Sequence, residues 1–167
     1  EFGPAAQRLN EASRSDPQGK LTNDALDMME LLRVAAEDSA GLASLCRADL
    51  FRRQKHTAAA ESLYTELAGT SRNVEIIQKA SWRLALLLRA SGRSPEALNR
   101  LEEILKRYPQ SVRASEYLLQ IGLVREEDLG DIKGAIEAYE KILLEYPESL
   151  AAQDARRRIR RLEKEQT

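Results

Sequence analysis

The 167-residue chain has one cysteine, one histidine and one tryptophan, and aromatics make up only 5% of it. A lone Cys46 cannot close an internal disulfide, and with His56 it cannot furnish a zinc site of Cys and His ligands. Long apolar runs are missing too. The longest aliphatic stretch, Leu84 to Leu88, falls far short of the ~20 residues of a membrane span. Charge of one sign is not in excess: 26 Lys and Arg face 27 Asp and Glu, a net charge of −1. Bulk electrostatics therefore disfavours nucleic acid or an anionic membrane as partner. There is no phosphate-binding glycine loop, no dinucleotide fingerprint and no Ser or Cys elbow with a partnering His. No catalytic residue, metal ligand or cofactor is expected. The opening Glu1-Phe2-Gly3-Pro4 lacks an initiator Met and a leader-like apolar stretch, so it reads as a cloning scar or cut edge. The segment is expected to come from a longer protein, of the cytoplasm or a bacterial periplasm.

What is present is helical. Apolar residues are 43% and charged residues 32%, with Ala, Leu, Glu and Arg prominent, all good helix formers. Ile77, Ala80, Leu84, Leu87 and Leu88 recur at spacings of three and four, which predicts a helix over 74–90. Gly92 stops it, and Ser94-Pro95 reads as an N-cap with Pro in the first helical position. The next helix should run to about Arg107, before the breaker Pro109.

The chain also repeats. Ala97, Leu98, Leu101, Ile104, Leu105, Tyr108-Pro109 and Ser111 return as Ala135, Ile136, Tyr139, Ile142, Leu143, Tyr146-Pro147 and Ser149, each pair 38 residues apart. A further step back gives Ala59, Leu63 and Leu67, with Ser71 two residues short of the step, a weaker copy without Tyr-Pro. Each unit reads as a helical hairpin, and a hairpin leaves one apolar face open until another stacks on it.

The spacing of small, apolar and proline positions in these units resembles the tetratricopeptide repeat (TPR) family. Ala85 matches its first small residue, Gly92 its turn, Ala97 its second small residue and Pro109 its closing proline. The Tyr-Pro-x-Ser ending is similar to a style found in bacterial extracytoplasmic members. A family unit is usually about 34 residues, so an added turn is expected at the start of each first helix. In the third unit Gly122 fits the small position better than Leu123, and the turn at 126–131 looks one residue longer. The resemblance implies an all-α, right-handed α-α superhelix of stacked hairpins with a C-terminal capping helix. The expected organisation is N-terminal helices over 1–39, with a truncated earlier repeat as one reading of them, units at 40–77 (degenerate), 78–115 and 116–153, and a cap over 149–167.

Before the units, residues 22–37 should form an amphipathic helix with Leu26, Met29, Leu32 and Ala36 on one face and Thr22 or Asn23 as cap. Ala5 to Arg14 reads as a helix and 15–20 as a turn. After the units, Ser149 should cap a last helix whose apolar stripe is Ala152, Ala155, Ile159 and Leu162.

The resemblance implies a protein or peptide partner lying along a concave surface lined by the first helices. Carried over, the groove positions are Lys79, Trp82, Leu86 and Arg89, with Ser44, Ala48 and Phe51 in the first unit. Trp and Arg anchor interfaces more often than other residues, though Trp82 could equally pack between hairpins. Leu86 and Ala48 stand where a chaperone-tail clamp would need asparagines, so that ligand is disfavoured. Two further classes of role remain: self-association into a homo-oligomer, and an anionic contact through Arg156, Arg157, Arg160 and Arg161. The adjacent carboxylates Glu102/Glu103 and Glu126/Glu127/Asp128 should face apart on solvated surface, with ion pairing between the acidic turn at 126–131 and the arginine-rich last helix as the alternative for the second group. His56 should lie in an exposed turn, and Cys46 among buried small apolar residues.

Overall fold

Helix formers punctuated by glycine and proline give helices, and the described residues contain no strand. The computed structural model describes residues 36–165, together with residues 7, 8, 11, 29, 33 and 34. The helices are α1 (Ser39–Arg53), α2 (Thr57–Thr70), α3 (Val74–Ala90), α4 (Ser94–Arg107), α5 (Ala114–Leu123), α6 (Ile132–Glu145) and α7 (Leu150–Glu165). A π turn, Val124–Asp128, continues α5 directly. The fold class is an all-α helical solenoid. The chain divides into two compact units, Glu1–Ala80 and Ser81–Thr167, with the border inside α3.

In the first unit α1 and α2 pair as a hairpin. Asp38 starts α1 by accepting from the Gly41 N–H at 2.8 Å, and its other carboxylate oxygen accepts from the Ser71 hydroxyl at 3.0 Å. Asn73 donates to Glu37 at 2.6 Å and accepts from the Ile76 N–H at 3.1 Å, which satisfies an amide at the start of α3. Ala48, Ala60, Tyr64 and Leu67 are buried in this unit. Cys46 is exposed rather than buried; its neighbours Leu45 and Ala48 take the inward face of α1 and turn it to solvent. His56 is exposed in the turn before α2, as its setting predicts.

Of the amphipathic stretch before α1, Val34 is buried and Ala36 exposed, while Met29 is half-buried. Leu26, Leu32, the cap at Thr22 or Asn23 and the turn at 15–20 lie outside the described residues, as does most of Ala5 to Arg14.

In the second unit α3 ends on Gly92, whose φ of 76° is left-handed. The paired bonds Arg93 N–H to Leu88 C=O (2.9 Å) and Gly92 N–H to Arg89 C=O (3.0 Å) close the helix in a Schellman arrangement. The cap of α4 differs from expectation by one residue. Arg93 flanks the helix, Ser94 is its first residue, and the Ser94 hydroxyl donates to Asp128 at 2.8 Å. A carboxylate is a stronger acceptor than a backbone amide is a donor, so the hydroxyl turns away from the helix end.

The second helices of the three hairpins begin at Thr57, Ser94 and Ile132. They bury Ala60, Tyr64 and Leu67, then Ala97, Leu101 and Ile104, then Ala135, Tyr139 and Ile142. The step is 37 residues and then 38. A uniform step of 38 would have placed Ala59 and Leu63 in the core; the structure places Ala60 and Tyr64 there. Depth explains the difference, because at that position the Tyr64 hydroxyl reaches Asp49 at 2.6 Å.

The first helices step by 37 throughout, with Ala48, Ala85 and Gly122 buried at matching positions. The extra residue of the third hairpin therefore enters after Gly122, and the π turn holds it. The Leu129 N–H reaches back five residues to Val124 C=O at 3.1 Å, and Gly130, with a φ of 67°, ends the widened segment. Asp131 then caps α6, accepting from the Gly134 N–H at 2.9 Å. The first helices differ in length: α1 has 15 residues, α3 has 17, and α5 has 10 before the five of the π turn.

Two apolar clusters hold this unit. Leu118, Tyr139, Ile142, Ala152, Ala155 and Leu162 join α5, α6 and α7. Ala85, Leu101, Ile121, Val124 and Ala138 join α3 to α6. Ser149 accepts from the Ala152 N–H at 3.2 Å and so caps α7. Residues 77/78 and 115/116, where unit borders were expected, lie inside α3 and α5.

Candidate functional site

Helix α3 carries four of the seven expected groove positions, at the three- and four-residue spacing that puts side chains on one face; of the three on α1, Ala48 is fully buried in the core and so lines no groove, and Ser44 is half-buried. Lys79 is paired with Glu75 at 3.2 Å. Trp82 is half-buried against the Ala85–Leu101–Ile121 cluster, its ring tilted 43° to that of Tyr117 with centroids 5.5 Å apart. Leu86, one turn on, is 38% exposed. Phe51, the third position on α1, is half-buried with its ring 6.0 Å from that of His56.

Arg89 is engaged within the chain. Its guanidinium donates to Asp128 at 2.8 and 3.0 Å and to Glu127 at 2.7 Å. Hydrogen bonding to Asp128 raises its pKa, so it stays charged. The same bond holds the Asp128 carboxyl below its ordinary value of 3.8. Burial would raise Glu127, but hydrogen bonds from Arg89 and Arg158 outweigh it and hold the group below 4.5.

The acidic turn is thus not a solvated loop. Glu126 is buried, with its side chain only 5% exposed. It accepts from the Tyr139 hydroxyl at 2.6 Å and from Arg158 at 3.2 Å, and it pairs with Arg161. Arg158 also reaches Glu127 at 2.9 Å. Adjacent carboxylates on a regular helix would point apart; here the wide turn brings all three of 126–128 onto partners from α3, α4, α6 and α7. Three guanidinium groups, from Arg89, Arg158 and Arg161, meet three carboxylates. Glu102 and Glu103 remain on the surface, paired with Arg125 at 2.7 Å and Arg100 at 3.0 Å. The sequence signals of this cluster are the one-residue excess in the third unit and the opposite charges of the turn at 126–131 and the last helix.

The C-terminal arginines separate into two sets. Arg158 and Arg161 turn to the acidic turn, whereas Gln153, Arg156, Arg157, Arg160 and Lys164, with part of Arg161, line a shallow surface depression on α7. Among the described residues no group of His, Cys, Asp and Glu could hold a metal ion, and no helix is long and apolar enough to cross a membrane.

Stacked helical hairpins with small residues at each close crossing, glycine turns between paired helices and an arginine-rich closing helix define a helical-repeat protein. Residues 83–149 match the family model for the tetratricopeptide repeat. Repeats of this family mediate protein–protein interaction and are in general non-catalytic scaffolds. No curated protein matches the chain.

Proposed function

We propose that the chain is a non-catalytic scaffold that binds an apolar segment of a partner protein on a concave face to which α3 contributes. The observation that carries this reading is the Trp82–Leu86 pair. Trp82 is steadied on one side by Tyr117, and Leu86 is exposed one turn away. A rigid aromatic beside an exposed aliphatic is how interface anchors are built. Lys79 lies one turn before Trp82 on the same helix. Arg89 contributes by fixing the acidic turn, not by meeting an acidic partner, because its carboxylates are already supplied.

A photocrosslinking residue substituted at Leu86 should capture a protein partner in the source cell, and the same residue at Leu144, which is 82% exposed on α6, should not. No adduct from position 86, or the same adduct from both, defeats the reading. A second reading is self-association, favoured by the exposed Val112 (96%), Leu144 and Leu150 (84%). It predicts adducts between copies from positions 112, 144 and 150, and an apparent mass that rises with concentration in light scattering.

A further inference from the structure

We infer that the outward face of α7 is a docking surface for an acidic segment of a protein partner. The acidic π turn draws Arg158 and Arg161 inward to Glu126 and Glu127. What remains outside is a basic strip. Arg156, Arg160 and Lys164 follow one another at four-residue intervals, a rise of about 6 Å per step along one helix face. Arg157 stands beside them, tied to Asp154 on its own helix. Arg156 donates to the Pro147 carbonyl at 3.5 Å, and among the described residues Arg156, Arg160 and Lys164 have no ion-pair partner.

Charge complementarity selects the occupant. A row of guanidinium groups takes carboxylates in paired, bidentate hydrogen bonds, and an acidic segment with carboxylates on a similar pitch matches it. The strip contains no aromatic side chain on which bases could stack, and the chain's net charge is −1. Both weigh against nucleic acid. The apolar stripe of α7 is buried against α5 and α6, so the helix has no free apolar face to insert among lipids. The strip does not depend on the Trp82 reading and is tested apart from it.

The test is fluorescence anisotropy of labelled poly-glutamate with the whole chain, alongside poly-glutamine, single-stranded poly(dT) and phosphatidylserine vesicles. The expected result is poly-glutamate binding at low salt that weakens as salt rises, with poly-glutamine unbound. R156E/R160E should weaken it about tenfold, R156Q/R160Q less, and the charge-matched K106E/K133E by less than about twofold. Helical melting of each variant verifies folding. The inference is overturned if poly-glutamate does not bind, or if K106E/K133E weakens binding as much as R156E/R160E. It is also overturned if poly(dT) or the vesicles bind more tightly than poly-glutamate through the same arginines.

Discussion

The Tyr139 hydroxyl on α6 donates to Glu126 at 2.6 Å, and this bond ties a second helix to the π turn that ends the first helix of its own hairpin. Tyr64 does the same in the first hairpin, donating to Asp49 at 2.6 Å. Replacing Tyr139 with Phe leaves Glu126 with Arg158 and Arg161, so the carboxylate is not orphaned. The expected loss is about 1.5–3 kcal/mol in urea unfolding, the range for a hydrogen bond to a charged group. A double-mutant cycle with Glu126→Gln should show coupling between the two sites.

Burial pushes the Tyr139 hydroxyl up to about 12 from its ordinary value of 10.0. The native state therefore holds this proton more tightly than the unfolded chain does. That contribution to stability is full below pH 10 and declines as pH rises toward about 12. Burial raises Tyr64 as well, so ultraviolet titration should show a late group of phenols, and Tyr139→Phe should reduce the amplitude of that late step.

At acid pH the sign reverses. Glu127 and Asp128 are depressed, so their stabilisation is present above the unfolded values of 4.5 and 3.8 and is lost as pH falls through the lower native ones. The urea midpoint should therefore fall below pH 4.5. Arg89→Gln should flatten that fall, and an unchanged slope would show that the pairs with Arg89 do not carry it.

Gly122 faces the Tyr139 ring so closely that an added Cβ would lie 2.7 Å from its Cδ1 and Cζ atoms and nearer still to Cε1. Gly122→Ala should cost about 1–3 kcal/mol, as overpacking does, even though alanine is the better helix former. The matching positions Ala48 and Ala85 tolerate a methyl group. A rise in melting temperature for Gly122→Ala would mean the ring moves aside freely.

Much of this arrangement was legible in the chain. The bounds of α3, the glycine turns at 92 and 130, and the cap at Ser149 all follow from periodicity and local turn chemistry, which act within a few residues. The burial of Glu126 did not follow, because regular helical geometry sends neighbouring carboxylates apart and only the widened turn gathers them. Placing Tyr64 rather than Leu63 in the core needed its reach to Asp49, a contact 15 residues away. Trp82 was left between groove and core; the structure places it half-buried against Tyr117, with Leu86 beside it exposed.

A single inserted residue would ordinarily rotate everything beyond it by about 100° around a helix axis. Here the five residues Val124–Asp128 and the left-handed Gly130 absorb it, so Tyr139 and Ile142 keep the phase of Leu101 and Ile104. The insertion behaves like a vernier adjustment: the count of residues changes while the angular setting of the next helix is preserved. Units of 37 and 38 residues are then interchangeable modules, provided the longer one brings its own wide turn and the arginines that neutralise it.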